Sequence, residues 1–221
     1  MKGKTNKMVI SAMMVALGTI LSLFKLYELP FGGTVTVASM VPVVLVAYIY
    51  GTKWGLFTSF IYSLLQLVCG IATGIVSRMF LPGDEQMVFS VAISICIFDY
   101  VLAYLALGFG GIFKNKLKHK SAEIALGVVV ALSLRWVMHI ISGYIFYGAW
   151  AEWFFADSTG LAQIGFMEGF CSWVMANMSG KGLALFYSVV YNGAYMLPEI
   201  IITVLLAPLV YGALKRGNLA E

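Results

Sequence analysis

Residues 124–149 read IALGVVVALSLRWVMHIISGYIFYGA, a run of 26 residues with one formal charge, Arg135. About 20 consecutive apolar residues cross the hydrocarbon core of a bilayer as a helix, so this run is long enough to span it and to tilt or project beyond. Five more stretches of the same kind lie outward from it. They are Met8–Tyr27, Val35–Tyr50, Trp54–Thr73 and Met87–Phe109 on one side and Leu183–Leu214 on the other. Their run lengths are those of helices, because barrel strands alternate apolar and polar residues over about ten positions. The second stretch is short and contains Pro42, which predicts a kinked backbone. Of the 221 residues, 61% are hydrophobic and 11% charged, with a mean hydropathy of +0.93. Soluble domains carry roughly 45–50% apolar and about 25% charged residues. The expectation is an all-α polytopic membrane protein: six transmembrane helices in a single domain over residues 1–221. A soluble enzyme, a disordered chain and a disulfide-stapled secreted domain are excluded.

The charges between the stretches predict topology. Lys2, Lys4 and Lys7 precede the first, Lys53 follows the second, Lys114, Lys116, Lys118 and Lys120 follow the fourth, and Lys215 and Arg216 follow the sixth. With alternating spans these ten cations share one side. Glu28, Asp84, Glu85, Glu152, Asp157 and Glu168 fall on the other, with only Lys25, Arg78 and Lys181 as cations. Basic residues concentrate in cytoplasmic loops, so both termini are expected in the cytoplasm. The net charge of +4 is then a matter of orientation, and nucleic acid is not an expected partner. Met1-Lys2-Gly3-Lys4 before an apolar run resembles a signal peptide, yet no small-residue cleavage site follows, so the first span is read as retained. The external loop 150–183 is rich in aromatics: Trp150, Trp153, Phe154, Phe155, Phe166, Phe170 and Trp173. Two compatible readings apply, an interfacial aromatic belt and a lid over an outward-facing pocket.

Sequence motifs narrow the chemistry. Ser179-Gly180-Lys181-Gly182 lacks the upstream glycine and the following Ser or Thr of a Walker phosphate loop, so the chain is not expected to draw energy from ATP alone. A His-Glu-x-x-His pair, a Gly-x-Ser-x-Gly elbow and close acidic pairs within one span are also missing, so no catalytic residue is assigned. Cys69, Cys96 and Cys171 lack metal-ligand spacing and read as packing residues. What remains is a small polar set at membrane depth, where an ionised side chain costs about 2.5–3.5 kcal/mol to insert and therefore faces a cavity or a partner. Asp99 lies in the fourth stretch beside Tyr100. Arg135 and His139 in the fifth share a helix face by i, i+4 spacing, and Gly143 and Tyr147 continue that stripe. Tyr187 and Asn192 open the sixth, followed by Pro198 and Glu199. An Asp99–Arg135 ion pair, a histidine bonded to a backbone carbonyl and interhelical glue at Tyr187 and Asn192 are the structural alternatives. Taken together the set reads as a polar pocket with aromatic walls, suited to a planar, cationic, hydrogen-bonding solute.

These residues, with their order and spacing, resemble the thiamine-specific substrate-binding (S) component of bacterial energy-coupling factor (ECF) transporters. The matching stretches are Gly32-Gly33-Thr34-Val35-Thr36-Val37 leading into Met40-Val41-Pro42, then Asp99-Tyr100, then Leu134 to Gly143, then Tyr187-Ser188-Val189-Val190-Tyr191-Asn192. The resemblance implies the six-helix S-component fold in a bacterial cell membrane and high-affinity capture of thiamine from outside. It implies ligand contacts from Asp99, Tyr100, His139, Gly143, Tyr147, Tyr187 and Asn192, with Arg135 as partner of the acid. Some relatives carry Glu where this chain has Asp99, some carry Trp where it has Tyr147, and some have Trp before the second span where it has Gly33. One stacking wall is therefore expected elsewhere, from Tyr27, Phe31, Tyr62 or the external loop.

The family also implies a transmembrane coupling protein and two cytoplasmic ATPases as partners, ATP being used by those subunits. Ala12 and Ala16 have the small-xxx-small spacing that permits close helix approach, and the resemblance assigns them to docking the coupling protein. Close packing within the chain is the alternative. Rival functions are an S component for another vitamin or a thiamine precursor, a proton-coupled carrier using Asp99, His139 and Glu199, and an intramembrane enzyme.

Overall fold

The computed structural model describes residues 2–29, 32–156, 161 and 167–217. Helix α1 spans Lys2–Ser22, followed by a two-stranded antiparallel hairpin of β1 (Lys25–Glu28) and β2 (Thr34–Thr36). Next come α2 (Val41–Tyr50), α3 (Thr52–Ala72) and a helical rod α4 over Phe89–Gly111. Helix α5 covers Lys120–Phe146, the short α6 Ala151–Phe155, α7 Glu168–Asn177, and the 37-residue α8 Gly180–Arg216.

Among the described residues, five helices (α1, α3, α4, α5 and α8) are long and apolar enough to cross a membrane. The sixth expected span is different. Its first residues, Val35 and Thr36, belong to β2, and only Val41–Tyr50 is helical. Ten residues rise about 15 Å, half of a hydrocarbon core of about 30 Å. Pro42 does not kink this helix either; it occupies the first turn, where a missing N–H costs nothing. Val41 to Ile49 are all buried, as an all-apolar helix must be when its neighbours surround it. Those neighbours pack close: a Cβ on Gly55 of α3 would meet Ala47 Cα at 2.7 Å, and one on Gly108 of α4 would meet Leu56 N at 2.5 Å.

The long helices present their other faces outward. Met13, Leu17, Phe57, Val68, Leu205 and Leu209 are exposed, the pattern of a lipid-facing bundle surface. On α1 the inward residues are Ser11, Met14, Val15 and Gly18, whereas Ala12 and Ala16 are exposed. Both alanines are exposed, so the small-residue stripe faces outward rather than into the bundle.

Lys7, Lys114 and Lys120 gather at one end of the bundle. Lys7 lies 4.1 Å from the Trp54 ring centroid, and the Lys114 ammonium donates to the Ile49 carbonyl. Lys120 pairs with buried Glu123, which also accepts from the Tyr48 hydroxyl at 2.6 Å and from Leu117 N at 3.0 Å. Tyr211, near the end of α8, meets the Tyr48 ring edge-on at 5.1 Å. The start of α1 and the end of α8 therefore share this basic end. The hairpin, the 73–88 connection and Trp150 lie at the opposite end.

Candidate functional site

At that opposite end a cavity of about 130 Å³ opens between α4, α5 and α8. All eight residues singled out from the sequence line it: Asp99, Tyr100, Arg135, His139, Gly143, Tyr147, Tyr187 and Asn192. The rest of the wall comes from Ile95 and Tyr104 on α4, Tyr191 and Tyr195 on α8, Gly32 to Thr34 of the hairpin turn, and Ile75, Arg78, Met79, Glu85 and Met87 of the 73–88 connection, with Trp150 from the aromatic 150–183 loop, where a stacking wall was expected.

Asp99 is delivered by a local change of helix type. Cys96–Leu102 winds as a π-helix inside α4, widening the turn that holds Asp99 and Tyr100. Such bulges are rare and are frequent at functional sites, because they re-aim side chains that a regular helix would space differently. Asp99 Oδ1 lies 2.8 Å from His139 Nδ1, and Oδ2 accepts from the Ser142 hydroxyl at 2.7 Å. The expected direct Asp99–Arg135 ion pair is not formed. Arg135 instead donates through Nε to His139 Nε2 at 3.2 Å, directs Nη1 at the Met40 sulfur, and stacks its guanidinium 4.1 Å from the Tyr104 ring centroid. The reason is the i, i+4 spacing: the imidazole occupies the place between the two charges.

On α8, Tyr187, Tyr191 and Tyr195 follow at every fourth position, so one face of the helix is a tyrosine stripe. The Tyr195 hydroxyl donates to Asn192 Oδ1 at 2.6 Å, and Asn192 Nδ2 donates to the Ser188 carbonyl at 2.8 Å and the His139 carbonyl at 3.2 Å. Asn192 thus ties α8 to α5 as well as lining the cavity. Gly143 makes that approach possible. A Cβ there would sit 3.0 Å from Asn192 Nδ2 and closer still to Ser188 Oγ. Gly143→Ala is expected to push the two helices apart and cost about 1–3 kcal/mol, the usual range for overpacking, read as a lower thermal unfolding midpoint of the purified protein.

The hairpin covers the cavity and is fastened to α8. Pro198 lacks the N–H that would bond the Ala194 carbonyl, and the Tyr27 hydroxyl donates to that carbonyl instead. Thr36 donates from both its N and its Oγ1 to Glu199 Oε1, at 2.6 and 2.7 Å, and Gly33 N donates to the Tyr191 hydroxyl at 3.3 Å. Gly33 also lets the hairpin lie against the tyrosine stripe, since a Cβ there would meet the Tyr195 ring at 2.7 Å. Glu199 is fully buried and holds the hairpin; it does not line the cavity. Of the candidates for a replacement stacking wall, Tyr27 and Tyr62 do not line the cavity, Phe31 lies outside the described residues, and Trp150 of the 150–183 loop does line it. At the mouth, Arg78 and Glu85 form an exposed ion pair at 2.9 Å.

Helix α6, at the start of the 150–183 loop, lies against the same region. Phe154 and Phe155 of α6 are buried, and Phe154 meets the Tyr187 and Tyr191 rings at 5.2 and 5.9 Å. Trp153 and Trp173 are exposed. Asp157 and Phe166 lie outside the described residues.

A helical membrane bundle whose cavity is lined by two carboxylates, Asp99 and Glu85, one amide and a shell of tyrosines has the chemistry to take a small polar solute. The chain belongs to the thiamine transporter protein family (Thia_YuaJ), whose model matches residues 8–153. It is 24% identical to the thiamine transporter ThiT of Bacillus subtilis (strain 168) over 216 residues, covering 93% of this chain and 90% of that one. In fold it is similar to the structure of ThiT from Listeria monocytogenes, with a TM-score of 0.66, 19% identity, and coverage of 99% of this chain and 98% of the other. It is thus a multi-pass membrane protein of a transporter family.

Proposed function

We propose that the chain is the thiamine-binding S component of an ECF-type, ATP-dependent vitamin importer, a single membrane domain of six segments that captures thiamine with high affinity from outside the cell. In this reading both termini are cytoplasmic, because the basic end of the bundle faces the cytoplasm and the cavity faces out. The chain carries no cofactor and performs no chemistry. A transmembrane coupling protein and two cytoplasmic ATPases supply the energy, and loop 150–183 helps to cover the bound vitamin.

One observation supports this most. The eight residues selected from the sequence converge on one cavity, in a chain of the thiamine transporter family. Thiamine is a permanent cation with two flat heterocycles and an exocyclic amine. Asp99 provides the compensating charge; Tyr100, Tyr147 and Tyr187 provide ring faces; Asn192 provides an amide; Gly143 leaves room. Arg135 and His139 complete the polar network around the acid.

Titrating the purified protein with thiamine tests the reading, with Trp150 at the mouth as reporter. The expected outcome is a saturable fluorescence change with a Kd below about 1 μM, equivalent to about 8 kcal/mol. No saturable change, together with no retention of labelled thiamine in equilibrium dialysis, would reject it. Preference for another vitamin or a thiamine precursor in competition would move the ligand to that compound. Liposomes holding this chain alone are expected to show no accumulation under a proton gradient; uptake there would establish the proton-coupled carrier.

A further inference from the structure

The contacts around Asp99 fix a protonation pattern that changes what two of the lining residues do. Arg135 is always protonated and has only donors to offer. Its Nε–H points at His139 Nε2 at 3.2 Å, so Nε2 is the acceptor nitrogen and carries no proton. In a neutral imidazole the proton then resides on Nδ1, which faces Asp99 Oδ1 at 2.8 Å and donates to it. An imidazolium would turn Nε2 into a donor aimed at another donor and set two cations side by side. Arg135, His139 and Asp99 therefore form a directed chain of hydrogen bonds, cation to neutral ring to anion. Both imidazole nitrogens are spent within it.

We infer that His139 and Arg135 are positioning residues that act through Asp99, and that the Asp99 carboxylate alone among the three makes the polar contact with the ligand. Each Asp99 oxygen accepts one bond in the protein, from His139 or Ser142, and each has a second lone pair available. Asp99 lies on the cavity wall and is about one-fifth exposed, whereas His139 is buried to 7% exposure and its Nε2 is covered by Arg135. The imidazole gives the cavity ring carbons but no free nitrogen. Arg135 sets the tautomer, the tautomer sets the donor to Oδ1, and two fixed donors hold the carboxylate plane toward the ligand. This is the way a histidine bonded on one side is oriented for work on the other.

The inference rests on the thiamine reading only for its binding arm. The first arm needs no ligand. The chain has two histidines, and His119 stands at the basic end before α5, so His119→Gln leaves a single imidazole for nitrogen NMR of isotope-labelled protein. The expected spectrum shows neutral imidazole with the proton on Nδ1; a proton on Nε2, or imidazolium, overturns the chain. Arg135→Met is expected to release the tautomer into a mixture, and an unchanged Nδ1–H form in that variant would remove the role given to Arg135.

The second arm compares His139→Asn with His139→Ala in thiamine titrations. The Asn amide can donate from the place of Nδ1 but has nothing at the place of Nε2. Asn is expected to keep affinity within about threefold of wild type and Ala to lose about tenfold, the value of one buried hydrogen bond to a charged group. Equal losses in both would assign a direct ligand contact to Nε2 and overturn the inference. Should the wild-type chain bind no thiamine, the functional reading falls while the nitrogen spectrum still decides the hydrogen-bond chain.

Discussion

Alanine in place of Asp99 is expected to weaken thiamine binding between about tenfold and 150-fold, the range set by roughly 1.5–3 kcal/mol for a hydrogen bond to a charged group removed from water. Two carboxylates reach the cavity, and they differ in kind. Glu85 sits at the mouth, exposed and already paired with Arg78 at 2.9 Å, so its charge is screened and its partner competes with any ligand. Asp99 sits deep on the wall, and both of its direct partners, His139 and Ser142, are neutral in the arrangement derived above. Its negative charge is the one that a bound cation would meet unscreened. Asp99→Asn sharpens the test by keeping an acceptor oxygen and the side-chain shape while removing the charge. It is expected to lose most of what Asp99→Ala loses, whereas Glu85→Gln changes affinity by less than about threefold. Wild-type affinity in Asp99→Ala, measured by fluorescence titration and checked by calorimetry, would show that the ligand's charge is compensated elsewhere.

The boundaries between what the sequence disclosed and what it hid follow from the physics of an apolar chain. Five long helices were legible because nothing but a helix satisfies the backbone in lipid over 20 apolar residues. Helix α2 was not. Hydropathy registers that a segment avoids water, and Val41–Ile49 avoids it by burial under its neighbours as fully as a lipid-exposed span does. The stretch ending at Tyr27 overshoots the first helix for a related reason: Leu26 and Tyr27 extend its hydropathy past Ser22, although Lys25–Glu28 pairs with Thr34–Thr36 as a strand.

At the site, charge and amide groups were easy to select, since each is costly at membrane depth and needs a reason to be there. Tyr104, Tyr191 and Tyr195 gave no such signal individually, because a tyrosine on an apolar helix is ordinary core material. The signal that was available is the spacing Tyr187, Tyr191, Tyr195, which marks a single face together with Asn192. A direct Asp99–Arg135 pair does not form because the i, i+4 histidine fills the gap between the two charges, which formal charge alone does not reveal.

Ala12→Trp is expected to leave thiamine binding unchanged within about twofold, since α1 contributes no residue to the cavity and distant sites behave independently. The same variant is expected to bring ATP-driven uptake by the assembled transporter to background. The reasoning is geometric. Ala12 and Ala16 lie one turn apart and exposed on α1, flanked by the exposed Met8, Met13 and Leu17. Two small residues at that spacing form a shallow notch in an otherwise bulky apolar surface. Between helices in lipid, association depends on close packing rather than on water exclusion, so a notch is where a partner helix gains contact and where an indole prevents it.

A tryptophan facing lipid is otherwise well tolerated, so the substitution by itself should leave folding intact. Leu205→Trp, on the lipid-facing surface of α8 with Leu205 62% exposed, supplies the control and is expected to spare both binding and uptake. Proteoliposomes containing the chain, a coupling protein and two ATPases provide the measurement. Full uptake by Ala12→Trp would reject α1 as the docking helix and leave the partner to be sought on another face of the bundle. Loss of uptake in both tryptophan variants would mean that lipid-facing bulk, rather than the notch, is what the assembly cannot tolerate.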